Sequence, residues 1–120
     1  MVAVTEFIGL VTEDDVDNAF VRANAALTEA LQVLGEFDAQ GGWEIAGAGS
    51  AQSWLAGRGH CTRQEAAVHV RNARLMRRHD TVGAAASNGT ITPSHVSQLA
   101  RIAKHRSQRF DDDVEMLVGL

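Results

Sequence analysis

Residues 50–78 read SAQSWLAGRGHCTRQEAAVHVRNARLMRR, and this stretch predicts two helices joined by a short turn. Its first residue, a serine, is a typical N-cap for a short helix that we expect to end at Gly57. Thr62 and Glu65 form a capping box, S/T-x-x-E, which starts a longer helix that continues to about Arg78. Two helices joined by a turn of about five residues outline a helix-turn-helix unit.

The longer helix carries arginines on one face. At 100° per residue, four arginines and one alanine fall within about 80° of one another. They are Arg63, Ala67, Arg71, Arg74 and Arg78. Apolar residues lie on both sides of this stripe, so both flanks can be buried while the arginines project outward.

In a helix-turn-helix unit the second helix enters the major groove, and its N-terminal residues meet base edges. Arg63 and Gln64 occupy those positions, where arginine can pair with guanine and glutamine with adenine. The turn and the remainder of the helix suit phosphate contacts better. The predicted DNA-binding residues are therefore Arg58, His60, Arg63, Gln64, Arg71, Arg74 and Arg78.

Acidic and basic residues are concentrated in different parts of the chain. Residues 1–44 carry nine carboxylates and one arginine, a net charge of −8, whereas residues 57–109 carry ten basic side chains and two carboxylates, a net charge of +8. Such a basic segment favours a polyanionic partner. The alternative is that the acidic first helix neutralises the basic one within the same molecule, and the two interpretations are compatible.

The first helix is predicted from about Glu13 to about Gln40, with Thr12 as its N-cap and Asp15 as the capping-box partner. Apolar residues recur along it with alternating spacings of four and three, at Val16, Phe20, Ala23, Leu27, Ala30, Leu34 and Phe37. This heptad stripe is either the core face of a long helix or the seam of a homodimer. The dimer would form through Val16, Phe20, Leu27, Leu34 and Phe37.

The rest of the chain is also predicted to be helical, apart from a glycine-rich loop at residues 43–49. We expect a short helix from about Thr81 to Ser87 and another that Thr92 caps with Pro93 at its first position. A last helix should run from near Ser107 to Val118. The fold class is all-α: residues 1–120 form one domain in which a long N-terminal helix (12–40) packs on a helix-turn-helix-like region (50–106).

No catalytic or metal-binding pattern emerges. The five histidines are spaced 9, 10, 16 and 10 residues apart, and Cys61 is the single cysteine. Zinc sites use closer pairs of ligands, so we expect no metal, no cofactor and no enzyme. The N-terminus has no basic segment typical of a signal peptide, and no apolar run approaches the roughly 18 residues that span a bilayer. We expect a cytoplasmic protein without a membrane partner.

Three stretches resemble the actinobacterial domain of unknown function 222, the 13E12 repeat family. They are Asp38-x-x-Gly41-Gly42-Trp43 followed by Gly47-x-x-Ser50-x-x-x-Trp54-Leu55-Ala56, then Ala66-x-x-x-Val70-x-x-Ala73-Arg74-x-Met76, and Gly89-x-Ile91-Thr92-x-x-His95. The resemblance covers about residues 12–106. Residues 50–102 also resemble the helix-turn-helix region of ParB-type partition proteins.

The family resemblance implies an N-terminal helical domain that, in longer relatives, precedes an HNH nuclease domain. This sequence departs from the family at His79-Asp80, where a Leu-Pro is common, and it holds no His-Asn-His constellation. We therefore expect a DNA-binding or DNA-positioning domain of an HNH-endonuclease-associated protein, with no catalysis of its own. The alternatives are a protein-interaction module and a truncated remnant of an HNH nuclease.

Overall fold

The computed structural model describes residues 9–105 and 107–119, with the backbone alone at 107–109. Helices α1 to α7 follow one another along the chain, and no strand occurs in the described ranges, which confirms the all-α prediction. Their bounds are α1 (Glu13–Ala39), α2 (Gly42–Ile45), α3 (Ala51–Gly57), α4 (Arg63–Arg78), α5 (Asp80–Ser87), α6 (Pro93–His105) and α7 (Ser107–Val118).

Helix α4 lies at the centre and packs against α1, α3, α5 and α6. Two glycines let neighbouring helices come close to it. A Cβ atom on Gly35 of α1 would lie 3.3 Å from the Ala73 carbonyl oxygen, and one on Gly83 of α5 would lie 2.8 Å from the Met76 carbonyl oxygen. The buried side chains of α4 cover most of its circumference: Ala66, Val70, Asn72, Ala73, Leu75 and Met76.

The predicted capping boxes are present. The Thr12 backbone N–H donates to Asp15 Oδ2 at 2.8 Å, and Thr12 Oγ1 accepts from the Asp15 backbone N–H at 3.2 Å. The Thr62 N–H donates in the same way to Glu65 Oε1 at 3.0 Å, and this bond holds the pKa of Glu65 below its usual range. Local hydrogen bonds thus place the starts of α1 and α4 where the sequence predicted them.

One helix was not predicted. Residues 43–49 were expected to be a loop, but Gly42–Ile45 form a helical turn. Gly41 takes a left-handed φ of 71°, which reverses the chain immediately after α1. The ring of Phe37 lies where a Cβ atom of Gly42 would be, so this turn depends on packing that local sequence does not reveal.

Helix α1 is divided into a packed half and an exposed half. Thr28, Leu31, Leu34 and Gly35 are buried, whereas Val16 is 49% exposed, and Phe20 and Val21 are 65% and 67% exposed. The heptad stripe is therefore not a continuous core face, because Leu34 belongs to the core and Phe20 does not. Leu31, which lies outside the stripe, is 2% exposed and among the largest fully buried side chains.

The overall dimensions agree with a helix that extends beyond the packed helices. The radius of gyration is 16.5 Å, whereas a compact domain of this length has about 13.5 Å. Helix α1 alone is about 40 Å long at 1.5 Å per residue.

Candidate nucleic-acid interface

Helices α3 and α4 pack against each other, and the turn at residues 58–62 joins them. Ser50 Oγ accepts from the Ser53 backbone N–H at 3.1 Å and caps α3. Gly59 has a φ of 79°, in the left-handed region that glycine adopts without strain. The sequence prediction for the bounds of this helix pair is confirmed, with Gly57 as the last residue of α3.

The arginine stripe occupies the open side of α4. The buried residues of this helix span about 220° of its circumference at 100° per residue. Arg63, Gln64, Arg74 and Arg78 are exposed in the remaining arc, and Arg71 is half-buried there. The small Ala67 lies in the middle of this arc, so nothing bulky would hold an approaching surface away from the helix.

A groove of about 350 Å³ runs beside this arc. Its charged wall comes from two helices: Arg71, Arg74 and Arg78 of α4, and Lys104 of α6. We call this the basic groove. Its floor is apolar and is formed by Val70, Leu75, Ala100 and Ala103.

Lys104 was not among the predicted site residues. It lies in the last turn of α6, where a positive charge also stabilises the helix through its dipole. The sequence did contain an indication that Lys104 shares a surface with small apolar residues, because Ala100, Ala103 and Lys104 lie on one face of α6 at helical spacing. That face could be assigned to the site only once the packing of α6 against α4 was known.

Arg71 is half-buried at the wall of the basic groove. Its Nε atom is buried and has no hydrogen-bond partner in the part of the chain that the structure describes. An unsatisfied buried donor is costly, more so on a charged group. Arg71 also lines the basic groove, where the terminal nitrogens of a guanidinium can donate to phosphate oxygens.

Arg74 is already paired. Its Nε and Nη2 atoms donate to the two carboxylate oxygens of Asp38 at 2.8 and 3.0 Å. The hydrogen bonds from Arg74 hold the pKa of Asp38 below its usual range, and the pKa of the Arg74 guanidinium is raised in turn. The Asp38 side chain is only 11% exposed, whereas the Arg74 side chain is 60% exposed. The pair thus joins α1 to the edge of the arc.

The acidic first helix neutralises only part of the basic segment. Arg77 Nε lies 3.3 Å from Glu36 Oε1, which is the second ion pair between α1 and α4. Within the described residues, no carboxylate lies within ion-pair distance of Arg63, Arg71 or Arg78. The prediction that the acidic helix neutralises the basic one is therefore confirmed for Arg74 and Arg77, and the polyanionic partner stays a prediction.

The residues predicted in the turn lie away from the basic groove. The Arg58 guanidinium carbon is 5.8 Å from the centre of the Trp54 ring, an arrangement that suits a cation–π contact. His60 is exposed and borders a different groove, between α1 and α3. Arg63 lines a small cleft beside Ala56 of α3. The structure thus brings together Arg71, Arg74 and Arg78, and leaves His60 apart.

A cavity of about 530 Å³ lies between α6 and α7. Its lining includes Ile102, Met116 and Leu117 with a few polar residues at the rim. None of the predicted arginines reaches it. We therefore locate the candidate interface by the chemistry of the basic groove and not by cavity volume.

Two of the histidines contact other side chains or the backbone of the chain. His95 Nδ1 accepts from the Thr92 backbone N–H at 3.0 Å, and His79 Nε2 lies 3.2 Å from Asp111 Oδ1. The described residues contain no group of three histidine, cysteine or acidic side chains that could hold a metal ion. No helix in that part of the chain is long and apolar enough to cross a membrane.

No protein-family model, curated protein or solved structure matches this chain. The resemblance to the domain of unknown function 222 family accordingly stays a prediction.

Proposed function

We propose that this protein binds duplex DNA through the open side of α4, with no catalytic residue of its own. The observation that carries the proposal is the arc of α4 on which Arg63, Arg71 and Arg78 stand without carboxylate partners among the described residues. The major groove is about 12 Å wide and admits an α-helix. The helix pair and its capped second helix resemble the units that use this mode of binding.

The residues of the arc and of the basic groove have distinct parts in the proposed complex. Arg63 and Gln64, at the first turn of α4, face base edges. Arg71, Arg78 and Lys104 bind phosphates, which fix the position of the helix without reading sequence. Arg74 contributes less than its position suggests, since Asp38 already holds its guanidinium.

Charge-matched variants test this proposal. Arg71→Gln and Arg78→Gln each remove one phosphate contact, whereas Arg101→Gln removes the same charge outside the basic groove. In fluorescence anisotropy with a duplex at low salt, the first two should weaken binding about three- to tenfold, while the control changes it less than twofold. Equal losses for all three variants, with the fold retained by circular dichroism, would show that only net charge attracts DNA.

The family resemblance supports a more specific role, as the DNA-engaging part of an HNH-endonuclease-associated protein. The gene neighbourhood gives a direct check. A reading frame that encodes His-Asn-His residues next to this one is expected, and its absence in several genomes that carry the gene would count against the nuclease association while leaving DNA binding intact.

A second function, protein–protein interaction, is favoured by the exposed half of α1. Val16, Phe20, Val21 and Val33 are between 49% and 67% exposed. Single exposed apolar residues are ordinary, but several on one helix are typical of an interaction surface. This role does not exclude DNA binding, because none of these residues lines the basic groove.

A further inference from the structure

We infer that α1 pairs antiparallel with α1 of a second copy of this chain. The surface concerned is the α1 apolar face, which consists of Val16, Ala19, Ala23, Ala26, Ala30 and Val33, with Phe20 and Leu27 at one border. This inference rests on the interaction role proposed for α1 and is independent of DNA binding.

Within the described part of the chain, nothing covers the α1 apolar face. Val16 is 49% exposed, and Phe20 and Val33 are each 65% exposed. The core side of the helix is elsewhere, at Leu31 and Gly35, where α1 meets the central helix. The exposed face extends from residue 16 to residue 33, about 26 Å at 1.5 Å per residue.

The residue types and spacings on this face are the same whether the helix is followed from its N-terminal or from its C-terminal end. Val16, Ala19, Ala23, Ala26, Ala30 and Val33 follow one another at spacings of 3, 4, 3, 4 and 3. A two-fold axis between residues 24 and 25 therefore superimposes the pattern on itself. It packs Val16 on Val33 of the second copy, Ala19 on Ala30, and Ala23 on Ala26, while Phe20 meets Leu27 at the border. Such an isologous contact is the usual form of a homodimer interface.

Charge complementarity selects the antiparallel direction. Arg22 is the single basic residue of α1, and Glu29 lies seven residues later on the same side of the apolar face. Within one chain they are about 10 Å apart along the helix, and in the described part of the chain neither forms an ion pair. Antiparallel pairing brings Arg22 of each copy beside Glu29 of the other, which gives two symmetric ion pairs.

A parallel pair would lose this complementarity. Each Arg22 would lie beside Leu27 of the other copy and not beside a carboxylate, and the acidic first turns, at Glu13, Asp14 and Asp15, would lie side by side. Like charges at this spacing are destabilising. The antiparallel arrangement separates the acidic first turns by the length of the helix.

In the same arrangement, the second copy would fill the groove of about 460 Å³ between α1 and α3. Val33, Phe37 and Trp54 line it, at the C-terminal end of the α1 apolar face. Antiparallel pairing brings the N-terminal end of the second copy to this place. There Leu10 and Val11, which are 94% and 52% exposed just before α1, would enter an apolar groove.

Charge reversal tests the proposed pair. In sedimentation equilibrium the full chain should show reversible dimerisation, and R22E or E29R alone should raise its dissociation constant about tenfold or more, since two ion pairs become two repulsions. The double variant R22E/E29R restores the pairs with reversed polarity and should restore the dimer. E44R, an equal charge change on α2, should leave the dimer unaffected.

Disulfide cross-linking tests the direction of the helices, in a Cys61→Ser background. An oxidised mixture of V16C and V33C should give a covalent dimer, because these positions face each other. V16C alone should not, because the two-fold axis separates the two copies of this position by about 25 Å. Circular dichroism would confirm that each variant folds.

The inference is overturned if the folded chain stays monomeric at high concentration, if the double charge reversal fails to restore a dimer, or if V16C alone cross-links and the mixture does not. DNA binding, measured separately by anisotropy, can persist under each of these outcomes. A failure of the dimer and a failure of the DNA proposal are therefore distinguishable.

Discussion

At the scale of single residues, an ion pair fixes how α1 lies against α4. Asp38 and Arg74 are joined by two hydrogen bonds, and the lowered pKa of Asp38 shows that folding favours its charged form. The pair stabilises the protein and also engages an arginine that would otherwise be free for DNA. A variant that breaks the pair should therefore have opposite effects on stability and on DNA binding.

Asp38→Asn should lower stability and strengthen DNA binding. The lowered pKa means that the pair's contribution, about 0.5–1 kcal/mol for a partly exposed pair, is complete above about pH 4, the ordinary aspartate pKa. It is lost as the pH falls through the lower pKa of the folded state. Urea unfolding should show a constant deficit for the variant at neutral pH and no deficit in strong acid.

Released from Asp38, Arg74 becomes available to a phosphate. The slope of log K against log salt should then steepen by up to about 0.9 for duplex DNA. A variant that is less stable but has the slope of the unmodified chain would mean that Arg74 does not face the DNA.

Two helical glycines, Gly83 inside α5 and Gly57 at the end of α3, give a pair of contrasting variants. Gly83→Ala would place a Cβ atom 2.8 Å from the Met76 carbonyl oxygen, whereas Gly57→Ala has open space around it. We expect the first to cost about 1–2 kcal/mol through overpacking, and the second to be neutral or to stabilise by up to about 0.5 kcal/mol. Equal effects in thermal unfolding would contradict the close contact between α4 and α5.

At the scale of helices, the sequence predicted where a helix begins and ends better than it predicted which face of the helix is buried. Caps are local, so Thr12, Ser50 and Thr62 could be recognised without knowledge of the fold. Which face of α1 is buried depends on where α4 lies. The heptad stripe placed Phe20 and Leu34 on the same face, and the spacing could not show that only Leu34 is buried. The short α2 was missed because packing of Phe37 over Gly42 shapes it.

The division of α1 into two halves predicts unequal effects of truncation. Leu31→Ala removes a side chain that is 2% exposed and should cost about 2–5 kcal/mol. Phe20→Ala, at a position 65% exposed, should change the stability of the monomer by less than about 0.5 kcal/mol. Urea unfolding in dilute solution measures both, and a large loss for Phe20→Ala would mean that this half of α1 packs on its own chain.

At the scale of the whole molecule, the opposite charges of the two chain segments are only partly combined. Helix α1 supplies Asp38 and Glu36 to Arg74 and Arg77, and the arc with Arg63, Arg71 and Arg78 stays open. The sequence could predict this arc because it follows from helical spacing alone. It could not predict the Asp38–Arg74 pair or the place of Lys104, since both depend on contacts between residues more than 25 positions apart.

The dependence of DNA binding on salt tests the central claim most directly. Arg71, Arg78 and Lys104 offer three phosphate contacts, so log K for duplex DNA should fall against log salt with a slope of roughly −3. Non-specific dissociation constants should be on the order of 10⁻⁴ to 10⁻⁶ M at physiological salt. A folded chain that binds no duplex at low salt, or whose slope is unchanged by Arg71→Gln combined with Arg78→Gln, would contradict the assignment of α4 as a DNA-binding helix.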